Sequence, residues 1–304
     1  MLASTSPMAR VLCLGDVMLD VIAVIQTNIN YGSDTASKIS THGGGAAANV
    51  ASWSQVCGAP TKIVARVGDD SAGTAVISEF DTLGIEHHDR VIAGAQTGVV
   101  VVLVDPSGER TMFPETGANS GLCLSDLPDL ARIEVIYLSG YALLDEMSRP
   151  GVLDIIAKIQ EAKIPIFFDP TTVGGMSQVN IDEIKSWLPL MYALFMNEAE
   201  ATFLTGFTQL ESALDALLEA APLAIIKCGS AGAIGKSRGG ETIKISAVPT
   251  HVVDTTGAGD SFAGGFIAAW LKNHDLKMCM EAGADAASQC VSIVGARPHV
   301  TPAH

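Results

Sequence analysis

Short, nearly unbroken apolar runs recur along the chain, each followed by a stretch with helical spacing. This alternation constrains the fold more than any other feature. Strands that alternate with helices read as a mostly parallel sheet with helices on both faces. The strand runs are Val11 to Gly15, Thr61 to Val67, Val135 to Ser139, Ile164 to Asp169, Ala193 to Asn197 and Leu223 to Cys228. Runs such as Ala224-Ile225-Ile226 lack polar alternation, as strands covered on both faces do. Helical patterns cover Ala46 to Gly58, Ser71 to Leu83, Val152 to Ala162 and Glu211 to Ala220. Gly58 and Gly84 supply stops and Ser71 an N-cap.

Two segments, about 17–42 and 91–116, break this rhythm. The first holds β-branched runs around Tyr31-Gly32-Ser33-Asp34. The second reads strand, turn, strand, with Asp105-Pro106-Ser107-Gly108 between Val99 to Val104 and Glu109 to Phe113. Neither suits a strand–helix–strand unit, so both are expected in a small separate sheet, a lid inserted into one domain spanning 1–304.

The 304 residues carry 18 Lys and Arg against 33 Asp and Glu, a net charge of −15. Such a chain repels phosphate backbones and anionic lipid, so neither nucleic acid nor a membrane is expected as partner. The first apolar run is broken by Asp16 and Asp20, which argues against a signal peptide. No apolar run reaches the roughly 18 residues that span a bilayer. None of the six cysteines has CxxC spacing. Reduced thiols and a cytoplasmic location follow as expectations.

The strongest chemical signal is Asp254-Thr255-Thr256-Gly257-Ala258-Gly259-Asp260, leading into an Ala- and Gly-rich helix. Small residues let an anion approach the backbone, and the first helical turn presents free N–H groups to it. A carboxylate in that turn suits a base that takes a proton from a hydroxyl attacking a phosphate. The ordinary structural alternative is a tight turn with an acidic cap. Gly43-Gly44-Gly45-Ala46-Ala47-Ala48-Asn49 permits close backbone approach, and Asn49 offers both a donor and an acceptor to a hydroxyl. Its alternative is a loop before a core helix. Asn197-Glu198-Ala199-Glu200 sits at a strand end, where ligands bind in open parallel sheets. Asn197 and Glu200 can hold Mg²⁺ through water, or can simply cap a helix, and spacing alone favours the cap. Gly235-Lys236-Ser237-Arg238-Gly239 resembles a hydrolase elbow and Ser230 to Ser237 a Walker loop, but neither has the required strand-to-helix context.

With these three motifs in this order, the chain resembles the ribokinase-like (PfkB) carbohydrate kinases from about residue 10 to residue 300. The resemblance implies a three-layer α/β/α sandwich with a mostly parallel central sheet and a small β-sheet lid. It implies an ATP-dependent kinase that transfers the γ-phosphate to a hydroxyl, a primary one, of a sugar. Asp260 would be the catalytic base, with the amides of Gly257, Ala258 and Gly259 as its anion hole. Asp20, Gly44, Gly45 and Asn49 would bind the substrate. Lys227, Gly229, Gly232 and Thr256 would serve the nucleotide, and Asn197 and Glu200 would organise Mg²⁺. Asp254 and Thr256, with carbonyls around Val291 to Ala296, match a monovalent-cation site, for K⁺. A homodimer through the lid is a further expectation.

Ribokinases proper carry Asn where Met18 stands and Lys where Ala46 stands, and a Glu soon after the strand ending near Ser139. Free ribose is therefore an expected poor substrate. A nucleoside kinase, or a catalytically silent sugar-binding or regulatory homologue, remains an alternative. A dinucleotide dehydrogenase is disfavoured because the first strand lacks G-x-G-x-x-G.

Overall fold

The computed structural model describes residues 8–87, 91–107 and 109–299. Gly108 of the expected hairpin turn lies outside the described residues. The strands are Val11–Leu14 (β1), Met18–Ile25 (β2), Ser37–Gly44 (β3), Thr61–Val64 (β4), Val67–Gly68 (β5), Glu86–His87 (β6), Val91–Ile92 (β7), Val99–Val104 (β8), Arg110–Glu115 (β9), Val135–Ser139 (β10), Ile166–Asp169 (β11), Ala193–Asn197 (β12), Leu223–Lys227 (β13), Ala233–Ser237 (β14) and Ile243–Ile245 (β15). The helices are Ala46–Val56 (α1), Ser71–Leu83 (α2), Gly140–Leu144 (α3), Arg149–Glu161 (α4), Val173–Met176 (α5), Ile181–Trp187 (α6), Glu198–Thr205 (α7), Leu210–Ala220 (α8), Ala258–Trp270 (α9) and Leu276–Val291 (α10).

Nine strands form the main sheet in the order β15-β14-β13-β12-β11-β10-β1-β4-β6. From β13 to β6 the pairings are parallel, and β14 and β15 close one end antiparallel. Alternation along a strand sends side chains to opposite faces. In β1, Leu12 and Leu14 enter the core under α4, α6 and α8, while Val11 and Cys13 enter the core under α1, α2, α9 and α10. The central layer is thus buried twice, which explains its unbroken apolar runs.

Residues of the two irregular segments build a separate four-stranded sheet, β3-β2-β8-β9. Its extent differs from the expected one. β3 runs on to Gly44, and Val91–Ile92 pairs with Val67–Gly68 in a sheet of its own. That pairing also corrects the expected strand 61–67. Its parallel register with β1 ends at Leu14↔Val64, and Val67–Gly68 pairs with β7 instead. The N-cap of α2 is Asp70 rather than Ser71. The Asp70 carboxylate accepts from Gly73 N at 2.8 Å and also from Thr97 N and Oγ1 (2.9 and 2.6 Å), contacts beyond the reach of a serine hydroxyl. The six cysteines are all free thiols. Among the described residues no helix is long and apolar enough to cross a membrane.

Candidate active site

Parallel strands that share a register end on one edge, and the polar residues at those ends meet there. Asp169 ends β11, Asn197 ends β12 and Lys227 ends β13. Helix α9 brings Asp260 to the same place in its first turn, and α1 brings Asn49. Asn49 Nδ2 donates to Asp260 Oδ2 at 2.8 Å, joining the two glycine-rich motifs across 211 residues. Burial pushes the Asp260 carboxyl up to about 7. The Asn49 hydrogen bond opposes this, Asp169 adds to it, and Lys227 opposes it again. A carboxyl tuned this way takes up a proton near neutral pH, as a general base must.

Gly257 is the N-cap of α9 at φ 76°, and a Cβ there would meet Ala296 Cβ at 2.6 Å. Only glycine fits that turn. The amide of Ala258 reaches back to the Thr255 carbonyl at 3.3 Å. The amide of Gly259 falls in the first turn, where a helix offers no acceptor of its own. The ammonium of Lys227 lies beside it: a Cβ on Gly259 would stand 2.9 Å from Nζ. Lys227 pairs with Asp169 Oδ2 at 2.5 Å. Gly229 and Gly232 belong to a tight turn closed by Gly232 N to Gly229 O at 3.1 Å.

The residues expected on the substrate side also assemble. Asp20 lies on β2 against Gly44 on β3, where a Cβ would collide with its carboxylate. Burial raises the Asp20 carboxyl to about 6, and the charge of Arg297 lowers it. Gly45 caps α1 at φ 91°, and the capping oxygen comes from Asp16. Asp16 Oδ2 accepts from Ala46 N at 2.8 Å, and Oδ1 accepts from Ala47 N at 3.4 Å and from Ser139 Oγ at 2.7 Å.

Asn197 and Glu200 form a capping box. Glu200 N donates to Asn197 Oδ1 at 2.9 Å, and the Glu200 carboxylate accepts from Asn197 N and Nδ2 at 2.8 and 2.6 Å. Glu200 is buried, and burial followed by the charge of Asp169 raises its carboxyl to about 7. Among the described residues no cluster of three His, Cys, Asp or Glu side chains could hold a metal ion unaided.

Three contributors were not singled out by the sequence motifs. Asp169 partners Lys227, and its Oδ1 accepts from Thr171 N at 3.0 Å. Thr171 adopts φ 70°, which is uncommon for a β-branched residue and marks a held strand end. Asp16 caps α1. Arg297, 4 % exposed, donates to Gly44 O at 2.5 Å, to Glu79 at 2.5 Å and to Asn49 Oδ1 at 3.3 Å. It orients the amide that holds Asp260. The strand-end rule applied to Asn197 would have found Asp169. A cavity of about 250 Å³, lined by Thr41, His42, Glu79, Gly295 and Arg297 among others, lies against the same glycine loop.

Residues 8–303 match the profile of the pfkB family carbohydrate kinase. A ribokinase of Arabidopsis thaliana is 30 % identical over 302 residues, covering 94 % of this chain and 76 % of that one. The crystal structure of adenosine kinase from Sinorhizobium meliloti is similar with a TM-score of 0.85 at 22 % identity, covering 97 % of both chains. A putative ribokinase II from E. coli, in complex with ATP and Mg²⁺, reaches 0.85 at 22 % identity, covering 95 % of this chain and 94 % of that one.

Proposed function

The chain belongs to the pfkB family of carbohydrate kinases, phosphotransferases with an alcohol acceptor, and from that premise we propose that it transfers the γ-phosphate of ATP to a primary hydroxyl of a sugar. The observation that carries this reading is the Asn49–Asp260 contact at the head of α9, beside Gly259 and Lys227. Asp20 and Asn49 hold the acceptor. Asp260 takes the proton of the attacking hydroxyl, and the amides of Gly257 and Gly259 with the Lys227 ammonium face the transferred phosphoryl group. Positioning and charge stabilisation supply the rate enhancement. The four-stranded sheet acts as a lid that excludes water. A silent binding homologue would need neither the base nor its tuning. Binding of sugar and ATP by isothermal titration without any product would favour that homologue.

Mg²⁺ fits this site as an ion that arrives with the nucleotide phosphates, since the described residues offer no cage of their own. Asn197 and Glu200 would hold its waters, and the ion would neutralise phosphate charge. Glutamine at 200 can keep the capping box. Glu200→Gln is therefore expected to fold normally while raising the Mg²⁺ concentration for half-maximal turnover by about tenfold. An unchanged Mg²⁺ titration would reduce Glu200 to a cap.

The acceptor is set by the walls around Asp20. Met18 and Ala46 are both 8 % exposed and apolar, and the sulfur of Met18 meets Asn119 Nδ2 at 3.2 Å. Two ribose hydroxyls without partners would cost about 1–3 kcal/mol each. Ribose is expected to fall about a hundredfold below the best substrate in kcat/KM. The nucleoside alternative gains from Tyr141, which is 44 % exposed at the start of α3, just past the end of β10. It sits near the site as a surface on which a base can stack. Steady-state kinetics on ribose, fructose, 2-keto-3-deoxygluconate, adenosine and inosine decide. If ribose leads that panel, the assignment of Met18 and Ala46 is wrong.

One face of the lid sheet carries Val21, Ala23, Ile39, Val101 and Phe113 by register. Ile39 is 70 % and Phe113 54 % exposed. That apolar face supports a homodimer through the lid.

A further inference from the structure

Arg110 opens β9, the edge strand of the smaller sheet. Its guanidinium reaches the loop that leads into the anion hole. Nη2 lies 2.6 Å from Asp254 Oδ1, and Nη1 donates to Thr256 Oγ1. The Asp254 side chain is 4 % exposed. Its Oδ1 also accepts from Thr256 N at 2.8 Å, and its Oδ2 from Gly295 N at 3.0 Å. Burial alone would raise this carboxyl, but the two amides and Arg110 together hold it below the usual range.

These are the oxygens a monovalent cation would need, and they are engaged. The carbonyl of Val291 accepts from the amides of Val253 and Asp254 at 2.7 and 3.2 Å. The carbonyl of Ala296 accepts from Trp53 Nε1 at 2.8 Å. Two cations beside one buried carboxylate repel each other. The donor set therefore does not fit K⁺ while Arg110 is in place.

We propose that Arg110 is the resident cation of this site, carried in by the lid strand, so that the loop 254–256 reaches charge balance only when the lid is docked. Lid position and the shape of the anion hole at 257–259 are then one coupled equilibrium. By reciprocity, whatever fills the anion hole favours the docked lid. The effect on turnover rests on the kinase reading, whereas the ion preference of the folded protein does not.

The test compares the full chain with Arg110→Ala and Arg110→Lys in potassium chloride, guanidinium chloride at low millimolar concentration, and tetramethylammonium chloride, all at one ionic strength. Melting temperature is read without substrate, and turnover with the best acceptor of the panel. The unmodified chain is expected to be indifferent to potassium in both readouts. Arg110→Ala is expected to lose about tenfold or more in turnover, within the range of allosteric couplings. Guanidinium or potassium should restore much of that loss and raise the melting temperature of this variant alone. Arg110→Lys should lie between. Potassium activation of the unmodified chain by about tenfold would overturn the proposal. So would an Arg110→Ala variant that is unimpaired, or one that no cation restores. If no acceptor is turned over at all, the kinase reading fails while the melting measurements still decide the ion site.

Discussion

Replacing Asp260 with asparagine is expected to lower kcat by about 10²–10⁴ with the fold intact. The replacement amide keeps the size of the carboxylate, and its oxygen can still accept from Asn49 Nδ2, so circular dichroism and melting temperature should change little. What disappears is proton affinity. The pH profile supplies a second readout. Burial places the Asp260 carboxyl at about 7, so the basic form dominates above that pH and is lost as pH falls through it. In the unmodified chain kcat should therefore decline on the acid side of neutrality, and Asp260→Asn should flatten that limb. Turnover within a few-fold of the unmodified chain would remove Asp260 from its role.

Replacing Arg297 with methionine should cost about 3 kcal/mol of stability, the lower end for breaking a buried ion pair. The lower end applies because the Glu79 side chain is 32 % exposed and can recover some hydration. Gly44 O and Asn49 Oδ1 would each lose a donor. For a chain of this size the melting temperature should fall by roughly 5–10 °C. Arg297→Lys should recover only part of this, because one ammonium cannot reach the Glu79, Gly44 and Asn49 oxygens together. Activity should fall further than stability explains, because Asn49 then loses the partner that sets which end of its amide faces Asp260. A methionine variant as stable and active as the unmodified chain would show that the Glu79–Arg297–Asn49 contacts contribute nothing to the site.

The layered fold and the centre of the site were legible along the chain for a local reason. Period and composition over ten residues decide whether a segment can be a strand covered on both faces or a helix with one apolar stripe. A Gly-rich turn before a helix fixes where free amides will point. Asp260, Asn49 and Asn197 all stand next to such signals, and the fold brings Asn49 and Asp260 into contact. The irregular segments were legible in the same way, through turn residues and β-branched runs. Their borders at Gly44 and Val91 were not, because those depend on which strand lies alongside.

What only the tertiary structure decided is how the charges pair. Lys227 finds Asp169 58 residues away, Arg110 finds Asp254 144 residues away and Arg297 finds Glu79 218 residues away. Asp16 caps a helix 30 residues further on. A short sequence window carries no information on these partners, because Coulomb energy depends on distance in space and on the dielectric created by burial. The chain alone determined the layers, the Gly-rich turn before α9 and the residue types at the strand ends. Only packing decided that a lid arginine faces Asp254, because that contact exists only once two separate sheets have come together.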